Sequence, residues 1–219
     1  ATAQRKTRIF ARLGWRRRRG SVLTVPFGAT ARLSGRLLDA DGAGLSGRRL
    51  RVVAHPSRGA LASSLASTVE TGPHGGFATT LPAGTSRRIT VAFAGEERLA
   101  SARRAPLSLR VRAGISLHAA PVELRTGQAV RLWGSVRARG APMPRRGKLI
   151  AVQYLETATG RWRPVLVTRS DHAGRFRARY RFRYLTGRAR IRLRAVALPE
   201  ERWPYAPGAS RPVGVEVNG

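Results

Sequence analysis

Three consecutive residues, Ser170, Asp171 and His172, have the side-chain types of a nucleophile, an acid and a base. A hydrolytic triad requires these groups to converge from separate segments, so that the base contacts the nucleophile and the acid orients the base. Neighbours in a tight turn point away from one another, and the sequence therefore predicts no triad here. Asp171 is predicted to be a turn residue whose carboxylate accepts hydrogen bonds from local backbone N–H groups.

A glycine-rich hexapeptide at 42–47, G-A-G-L-S-G, has the spacing of a dinucleotide-binding loop. That chemistry requires a helix directly after the loop, with its N-terminus facing the pyrophosphate. The segment that follows, 48–53, has a strand pattern instead. The hexapeptide is therefore predicted to be a turn between two strands.

No other arrangement in the sequence predicts catalysis or metal binding. Cysteine is absent, and the eleven acidic residues are too dispersed to form a carboxylate pair. The histidines lack the spacing of metal ligands. We therefore predict a protein that is not an enzyme, with no catalytic residue, no metal ligand and no cofactor. The histidines, predicted to be ordinary surface or turn residues, are His55, His74, His118 and His172.

The net charge is the strongest feature of the composition, because 42 Lys and Arg residues oppose 11 Asp and Glu residues to give +31. Such an excess predicts an anionic polymer as partner, namely a cell-wall glycan, teichoic acid or nucleic acid bound without specificity. Only Lys6 and Lys148 are lysines, and arginine with abundant Ala, Gly and Pro is also typical of a very GC-rich genome. Composition leaves both explanations open. No known RNA- or DNA-binding motif is present.

Two segments, 175–184 and 188–194, alternate arginine with apolar residues. In a strand this period places the arginines on one face and apolar side chains such as Phe176 and Tyr184 on the other. Like charges opposite one another destabilise a sheet unless anions lie on it. A separate basic run, 16–19, is predicted to be a solvated loop. The candidate polyanion contacts are Arg177, Arg179, Arg181, Arg183, Arg190, Arg192 and Arg194.

Four aromatic residues have a predicted role. Trp203 and Tyr205 lie in a Pro- and Gly-flanked loop before the last predicted strand. An exposed pair there could stack on a sugar ring or a base, which makes Trp203 and Tyr205 candidate glycan-stacking residues. The alternative is that the pair packs beneath its own loop. Trp133 and Trp162 fall in strand patterns and are predicted to pack in the core.

The two halves of the chain repeat each other. Three pairs of blocks lie 99 positions apart: 27–37 with 126–136, 49–53 with 148–152, and 75–77 with 174–176. Three blocks that share one offset predict two copies of one domain. Later blocks drift by a few residues, which is the effect of loop insertions.

Each copy contains about seven short segments of period two, separated by turn-forming residues. This outline predicts an all-β protein with two tandem immunoglobulin-like β-sandwich domains. The first domain is predicted at 1–112, with a basic N-terminal segment, and the second at 113–219. The only helix candidate, 59–67, is predicted to be extended or irregular. Strands are predicted near 8–13, 21–25, 29–38, 49–54, 65–71, 76–81, 88–94 and 105–111, and near 115–120, 129–137, 148–156, 163–168, 175–183, 189–197 and 211–217.

The first copy resembles a carboxypeptidase regulatory-like domain. The resemblance rests on the strand and turn at 33–42, on 51–53, on Thr71 through Phe77, and on the L-P-A-G segment at 81–84. The second copy resembles the bacterial immunoglobulin-like partner domain of secreted actinobacterial-type proteins, through its glycine, turn and core positions at 134–205. The resemblance implies a transthyretin-like sandwich, related to carbohydrate-binding folds, with no catalytic residue. Position 72 is Gly where the family usually has Asp, so no acidic ligand is expected there.

These observations predict a non-catalytic structural or interaction module, secreted or at a cell surface, that spaces or displays other domains of a longer chain. One alternative is a basic protein that binds polyanions or nucleic acid. A further alternative is a carbohydrate-binding accessory module of an enzyme. No apolar run approaches the roughly 18 residues of a membrane helix, so no membrane-spanning segment is predicted. The first residue is not Met, and the chain is expected to be a processed form or part of a longer protein.

Overall fold

A computed structural model describes residues 4–219, in which the chain forms two compact units, Ala1–Val111 and Arg112–Gly219. Residues 1–3, which belong to the first predicted domain, lie outside the described residues. The described part of the chain contains β-strands and a single 3₁₀ turn (Pro73–Gly75), but no α-helix. The predicted all-β fold with two tandem immunoglobulin-like sandwiches is confirmed. Residues 4–219 include no helix that is long and apolar enough to span a membrane.

The first unit is a sandwich of two sheets. Its strands are β1 (Thr7–Trp15), β2 (Arg18–Gly20), β3 (Val22–Val25), β4 (Ala31–Asp39), β5 (Arg49–Pro56), β6 (Leu65–Glu70), β7 (Gly76–Leu81), β8 (Arg87–Phe93) and β9 (Ala102–Val111). One sheet has the strand order β2–β1–β4–β7, and the other has the order β3–β9–β8–β5–β6. All neighbours are antiparallel except β3 and β9, which run parallel.

The second unit repeats this plan with shorter edge strands. Its strands are β10 (Gly114–Ile115), β11 (His118–Ala120), β12 (Glu123–Arg125), β13 (Ala129–Arg137), β14 (Leu149–Glu156), β15 (Arg161–Arg169), β16 (Arg175–Arg181), β17 (Arg188–Ala197), β18 (Gly208–Ala209) and β19 (Val213–Asn218). In one sheet β13 pairs with β10 and β11 on one side and with β16 on the other. The second sheet has the order β12–β19–β17–β14–β15, with β18 paired to β17.

The alternation of side chains along each strand builds the core. In β4, Leu33 and Leu37 are fully buried whereas Arg32 and Arg36 are exposed, because successive side chains of a strand point to opposite faces. The inward faces of both sheets in each unit contribute Leu, Val, Ile and Phe side chains in the same way. The period-two pattern of the sequence therefore defines which face of each sheet is available to solvent.

The internal repeat has a structural basis at one glycine in each unit. A Cβ atom on Gly35 or on Gly134 would lie 2.0 Å from a backbone oxygen of the neighbouring segment. The rings of Phe77 and Phe176 cover these glycines, at 2.6 and 2.7 Å from the same Cβ positions. Both pairs are 99 positions apart, which is the offset predicted from the sequence. Only glycine fits beneath the phenylalanine ring at this strand crossing.

The second of the three predicted repeat blocks was misaligned by one residue. Thr71 N–H donates to the carbonyl of Arg48 (2.9 Å), and its equivalent Ser170 N–H donates to the carbonyl of Lys148 (3.0 Å). Thr71 and Ser170 are 99 positions apart, but Arg48 and Lys148 are 100 apart. Because side chains alternate along a strand, a one-residue slip exchanges the buried and exposed faces. The predicted match of 49–53 with 148–152 was therefore wrong, owing to one inserted residue in the preceding loop.

Four of the predictions concern segments expected to be turns or irregular structure. Residues 42–47 connect β4 to β5 as predicted, and Arg175 N–H donates to the carboxylate of Asp171 (2.8 Å), which confirms the turn role of that residue. The segment 59–67 is irregular up to Leu65, where β6 begins, as predicted. The loop prediction for 16–19 was correct for Arg16 and Arg17, which form the turn of a hairpin, and wrong for Arg18 and Arg19, which belong to β2 and pair with β1.

Candidate anion-binding face

The two predicted arginine rows lie in different sheets of the second unit. Arg177, Arg179 and Arg181 are on β16, which pairs with β13, whereas Arg190, Arg192 and Arg194 are on β17, which pairs with β14 and β19. The inward faces of the two sheets are covered by the core, so the rows point outward from opposite sides of the sandwich. The seven candidate residues therefore do not form one surface.

The β17 row is compensated in part by its own sheet. Arg188 forms an ion pair with Glu216, and Arg190 lies directly opposite Glu216 in the register of β17 and β19. Arg194 donates to the side-chain oxygen of Gln153 (2.9 Å), and its guanidinium lies 4.1 Å from the ring centroid of Trp162. Burial lowers the pKa of Arg194. Arg194 is thus held within the sheet, whereas Arg192 is exposed opposite Gly214.

The structure differs from the prediction at Trp162 and at Arg194. Trp162 is half-buried beneath the Arg194 guanidinium rather than packed in the core. Arg194, predicted to contact a polyanion, is instead held by Gln153 and Trp162 within the sheet. The sequence could not show this pairing because the partners come from three different strands.

The β16 row is exposed and uncompensated. Arg177, Arg179 and Arg181 alternate with inward side chains, and no ion pair within residues 4–219 involves an arginine of β16. No carboxylate lies in β11, β13 or β16. Arg179 is directly opposite Arg131 of β13, which is a like-charge pair that destabilises the sheet. The outer face of β11, β13 and β16 therefore carries positive charge that its own strands do not balance.

The predicted row ends two residues too late. β16 terminates at Arg181, so Arg183 lies just beyond the strand. The alternation continues through the buried Phe182 and ends where the chain bends at Tyr184, which was predicted to point inward and is 92% exposed. Arg183 is exposed directly after the strand, and Arg175 and Arg131 lie on the same face through the register of β13 and β16.

Trp133 lies on this outer face, contrary to the prediction that it packs in the core. Its side chain is 40% exposed and stacks on His118, with ring centroids 5.7 Å apart and planes inclined by 21°. In the strand register Trp133 lies between His118 of β11 and Arg177 of β16. The cause of the error is parity along β13, where Val130 and Leu132 are buried and Trp133 follows on the opposite face.

An open groove of about 690 Å³ runs beside Trp133. Its lining residues are Arg131, Leu132, Trp133, Arg177, Ala178 and Arg179. An arginine guanidinium is a planar donor that matches phosphate and carboxylate geometry. The groove thus combines an aromatic wall with several anion-binding donors, and we call the outer surface of β11, β13 and β16 the Trp133 face.

The pair Trp203 and Tyr205 is not available for stacking on a ligand. The two side chains are only 7% and 5% exposed, and their rings pack against each other with centroids 5.4 Å apart. The hydroxyl of Tyr205 donates to the carbonyl of Arg139, and burial raises the pKa of Tyr205. The prediction of a glycan-stacking pair was therefore wrong, and the alternative, packing beneath the loop, is what the structure has.

A buried ion pair next to Trp203 was missed by the sequence analysis. The side chain of Lys148 is fully buried, and its Nζ donates to the carboxylate of Glu200 (2.5 Å) and to the carbonyl of Leu198 (2.5 Å). Glu200 also accepts from Arg169 (3.0 Å). Burial lowers the pKa of Lys148, and the hydrogen bond and charge of Glu200 oppose that shift. The sequence did offer a signal for this pair, because Lys148 is one of only two lysines and directly precedes an apolar strand.

The described residues contain no group of three or more His, Asp or Glu side chains that could hold a metal ion. His118 belongs to the Trp133 face, whereas His55 contacts the Ser64 hydroxyl and His74 lies in the 3₁₀ turn. His172 lies in the turn before β16. These four histidines therefore lie at separate positions in the fold.

Comparison with known proteins gives structural likeness alone. No protein-family model matches the chain, and no curated protein matches it significantly. Among solved structures, it is similar to the Yersinia pseudotuberculosis adhesin InvE, with 15% identity and a TM-score of 0.35 over 91% of this chain and 57% of the adhesin. The Escherichia coli adhesin FdeC has 16% identity and a TM-score of 0.36 over 100% of this chain and 65% of FdeC.

Another similar structure is Escherichia coli alpha-2-macroglobulin, with 15% identity and a TM-score of 0.35 over 96% of this chain and 14% of that protein. The chain spans less than two thirds of the length of each of these three proteins. Adhesins and an alpha-2-macroglobulin thus share this level of similarity with the chain. No function follows from it.

Proposed function

We propose that this chain is a non-catalytic interaction module of a secreted or cell-surface protein, and that its two sandwiches space or display other domains of a longer chain. The proposal rests on one observation: carboxylate side chains of the two units bind groups of the protein itself. The Asp39 carboxylate accepts from the backbone N–H groups of Asp41 (3.0 Å) and Ala43 (2.9 Å), and Glu200 holds Lys148. These carboxylates are occupied in stabilising a turn and the end of a sandwich.

The absence of catalysis is tested on the purified chain. It is incubated with chromogenic esters, glycosides, peptides and phosphoesters, beside a heat-denatured sample of the same preparation. We expect no saturable turnover in the native sample above that of the denatured one. Saturable turnover that co-purifies with the native chain would overturn the proposal.

We further propose that residues 1–112 and 113–219 are separate folding domains, the first of the carboxypeptidase regulatory-like type. Each unit has its own two-sheet core, which supports independent folding. Expressed separately, each is expected to unfold in one cooperative transition. A half that lacks native near-ultraviolet circular dichroism would contradict the division.

A second candidate function, binding of polyanions, is favoured by the uncompensated β16 row. Exposed arginines attract phosphate, sulfate or carboxylate groups, and release of counterions drives the binding. The full chain is expected to bind heparin and DNA, with log K falling linearly as log salt increases. Failure to bind any polyanion at low salt would leave only the spacing and display function.

A third alternative, a carbohydrate-binding accessory module, rested on Trp203 and Tyr205. Both side chains are buried, so neither is accessible to a sugar.

A further inference from the structure

The fold does not require Trp133 or the arginines beside it. At the 99-residue offset, Trp133 corresponds to Ser34 of the first unit, and Arg177 and Arg179 correspond to Ala78 and Thr80. These equivalent residues also lie on outer positions of the paired strands β4 and β7. The same pair of strands thus forms with small or neutral side chains at these three positions, although Arg131 corresponds to Arg32 and is shared by both units. Trp133, Arg177 and Arg179 are additions of the second unit to the shared framework.

These additions have a cost that folding alone does not explain. An exposed tryptophan leaves apolar area in water, and the opposed Arg131 and Arg179 repel each other. A ligand that covers the aromatic ring and neutralises the guanidinium groups would offset both costs. The Trp133 face therefore has the character of a binding site.

The face separates charge from aromatic surface. Arginines occupy every second position along β16, so their attachment points are about 6.8 Å apart in one line. The rings of Trp133 and His118 lie beside that line, on β13 and β11. A single-stranded nucleic acid has the same division, with phosphates along one edge and planar bases on the other. An acidic polysaccharide carries its charges on the sugar rings themselves, and a duplex keeps its bases stacked inside.

We infer that the Trp133 face binds single-stranded nucleic acid, with phosphates along Arg175, Arg177, Arg179 and Arg181 and a base stacked on Trp133 in the groove lined by Arg131. The inference rests on the polyanion-binding candidate function and assigns it a site and a ligand class. No base-specific contact is required, because every base offers a planar face for stacking. Binding is therefore expected to be nearly independent of nucleotide sequence.

The test uses the full chain and a fluorescent oligo-dT of about 15 nucleotides, roughly the longest footprint of a single-strand-binding domain. Heparin and a duplex of equal length serve as the other ligands. The first-unit residues supply the variants, W133S and R177A/R179T. The matched control, R190S/R192S, removes the same two charges from the opposite sheet. W133F keeps an aromatic ring. Circular dichroism checks that each variant is folded.

W133S is expected to weaken oligo-dT binding by roughly 5- to 150-fold, the effect of losing one stacked base, and to leave heparin and duplex binding within about twofold. W133F should restore most of the affinity. R177A/R179T is expected to weaken oligo-dT binding more than R190S/R192S does, and to reduce the salt slope by about 1.4, for two phosphate contacts of a single strand.

The other outcomes identify which proposal fails. If all polyanions bind but W133S and R177A/R179T behave like R190S/R192S, the Trp133 face is not the site, while polyanion binding stands. If W133S weakens heparin rather than oligo-dT binding, the face recognises an acidic glycan and the nucleic-acid assignment is wrong. If no polyanion binds to the wild-type chain, the candidate function itself fails.

Discussion

Both units place an ion pair at the same point of the sandwich, and burial makes the two pairs different. In the first unit Arg48 before β5 binds Glu96 after β8, at 2.7 Å, with 38% and 42% of the side chains exposed. In the second unit Lys148 before β14 binds Glu200 after β17, at 2.5 Å, with 0% and 20% exposed. Both basic residues are connected by their backbones to the equivalent Thr71 and Ser170.

The difference shows that solvent, rather than the partners, determines what such a pair contributes. An exposed pair is screened by water and salt and contributes about 0–1 kcal/mol. A buried lysine has lost its hydration, so it depends on the carboxylate and carbonyl that replace water. Lys148 and Glu200 therefore act as a structural unit, whereas Arg48 and Glu96 are a minor surface contact.

The largest expected effect follows from removing the buried carboxylate. E200Q leaves the Lys148 ammonium buried without a counter-charge and is expected to destabilise the second unit by about 3–5 kcal/mol. E96Q, the matched control, is expected to change the first unit by about 0–1 kcal/mol. Urea unfolding followed by hydrogen exchange of peptides from each unit measures both. Equal losses for the two variants would show that burial does not distinguish the pairs.

A smaller effect is expected when the cation is removed instead. In K148M, Glu200 keeps Arg169 and the Leu149 N–H (2.9 Å), and it is partly exposed, so no buried charge is orphaned. Methionine fills most of the space of the lysine stem. The second unit is expected to stay within about 1 kcal/mol of wild type in the same unfolding experiment. A loss as large as that of E200Q would indicate that the lysine itself is the essential partner.

Acid is expected to weaken the second unit through the same pair. Burial tends to raise the pKa of Glu200, but hydrogen bonds from Leu149, Lys148 and Arg169 prevail and lower it from its ordinary value of 4.5. A carboxylate with a lowered pKa adds stability above its unfolded value, and that stability is lost as pH falls through the folded value. Unfolding of the second unit, measured from pH 7 downward, should become easier below about 4.5. E200Q should flatten this dependence, and an unchanged acid limb would contradict the assignment.

The smallest expected effect concerns the like charges on the Trp133 face. R179T introduces the residue found at the equivalent Thr80 and relieves the repulsion of Arg131. The second unit is expected to gain about 0.2–1 kcal/mol at low salt, and the gain should decrease as salt screens the charges. Thermal melts at low and high salt measure it. R192T, whose strand partner is Gly214, serves as control and should give a smaller gain.

Most of the fold could be predicted from the sequence because the information is local. The alternation of apolar and polar residues located the long strands, such as β4, β13 and β17, to within a few residues. The glycine and phenylalanine of each repeat, Gly35 with Phe77 and Gly134 with Phe176, defined the copies. Short edge strands such as β2 and β18 were missed, because two or three residues carry no period.

The site was predicted only in part. The alternation correctly placed Arg177, Arg179 and Arg181 on an exposed strand face. It could not show that β16 and β17 lie in different sheets, because strand pairing is decided by contacts between distant segments. Compensation of Arg194 by Gln153 and Trp162 depends on the same pairing.

The sequence by itself determined that the protein is all-β, duplicated, cysteine-free and strongly basic, because these properties reside in composition, period and self-similarity. Only the tertiary structure decided which aromatic residues are accessible. Trp133 is exposed although its strand pattern predicted the core, and Trp203 is buried although its loop left both outcomes open. The physical reason is that exposure depends on the parity of a residue along its strand and on what the next segment covers. Both are set by how the sheets pack, which no short stretch of sequence contains.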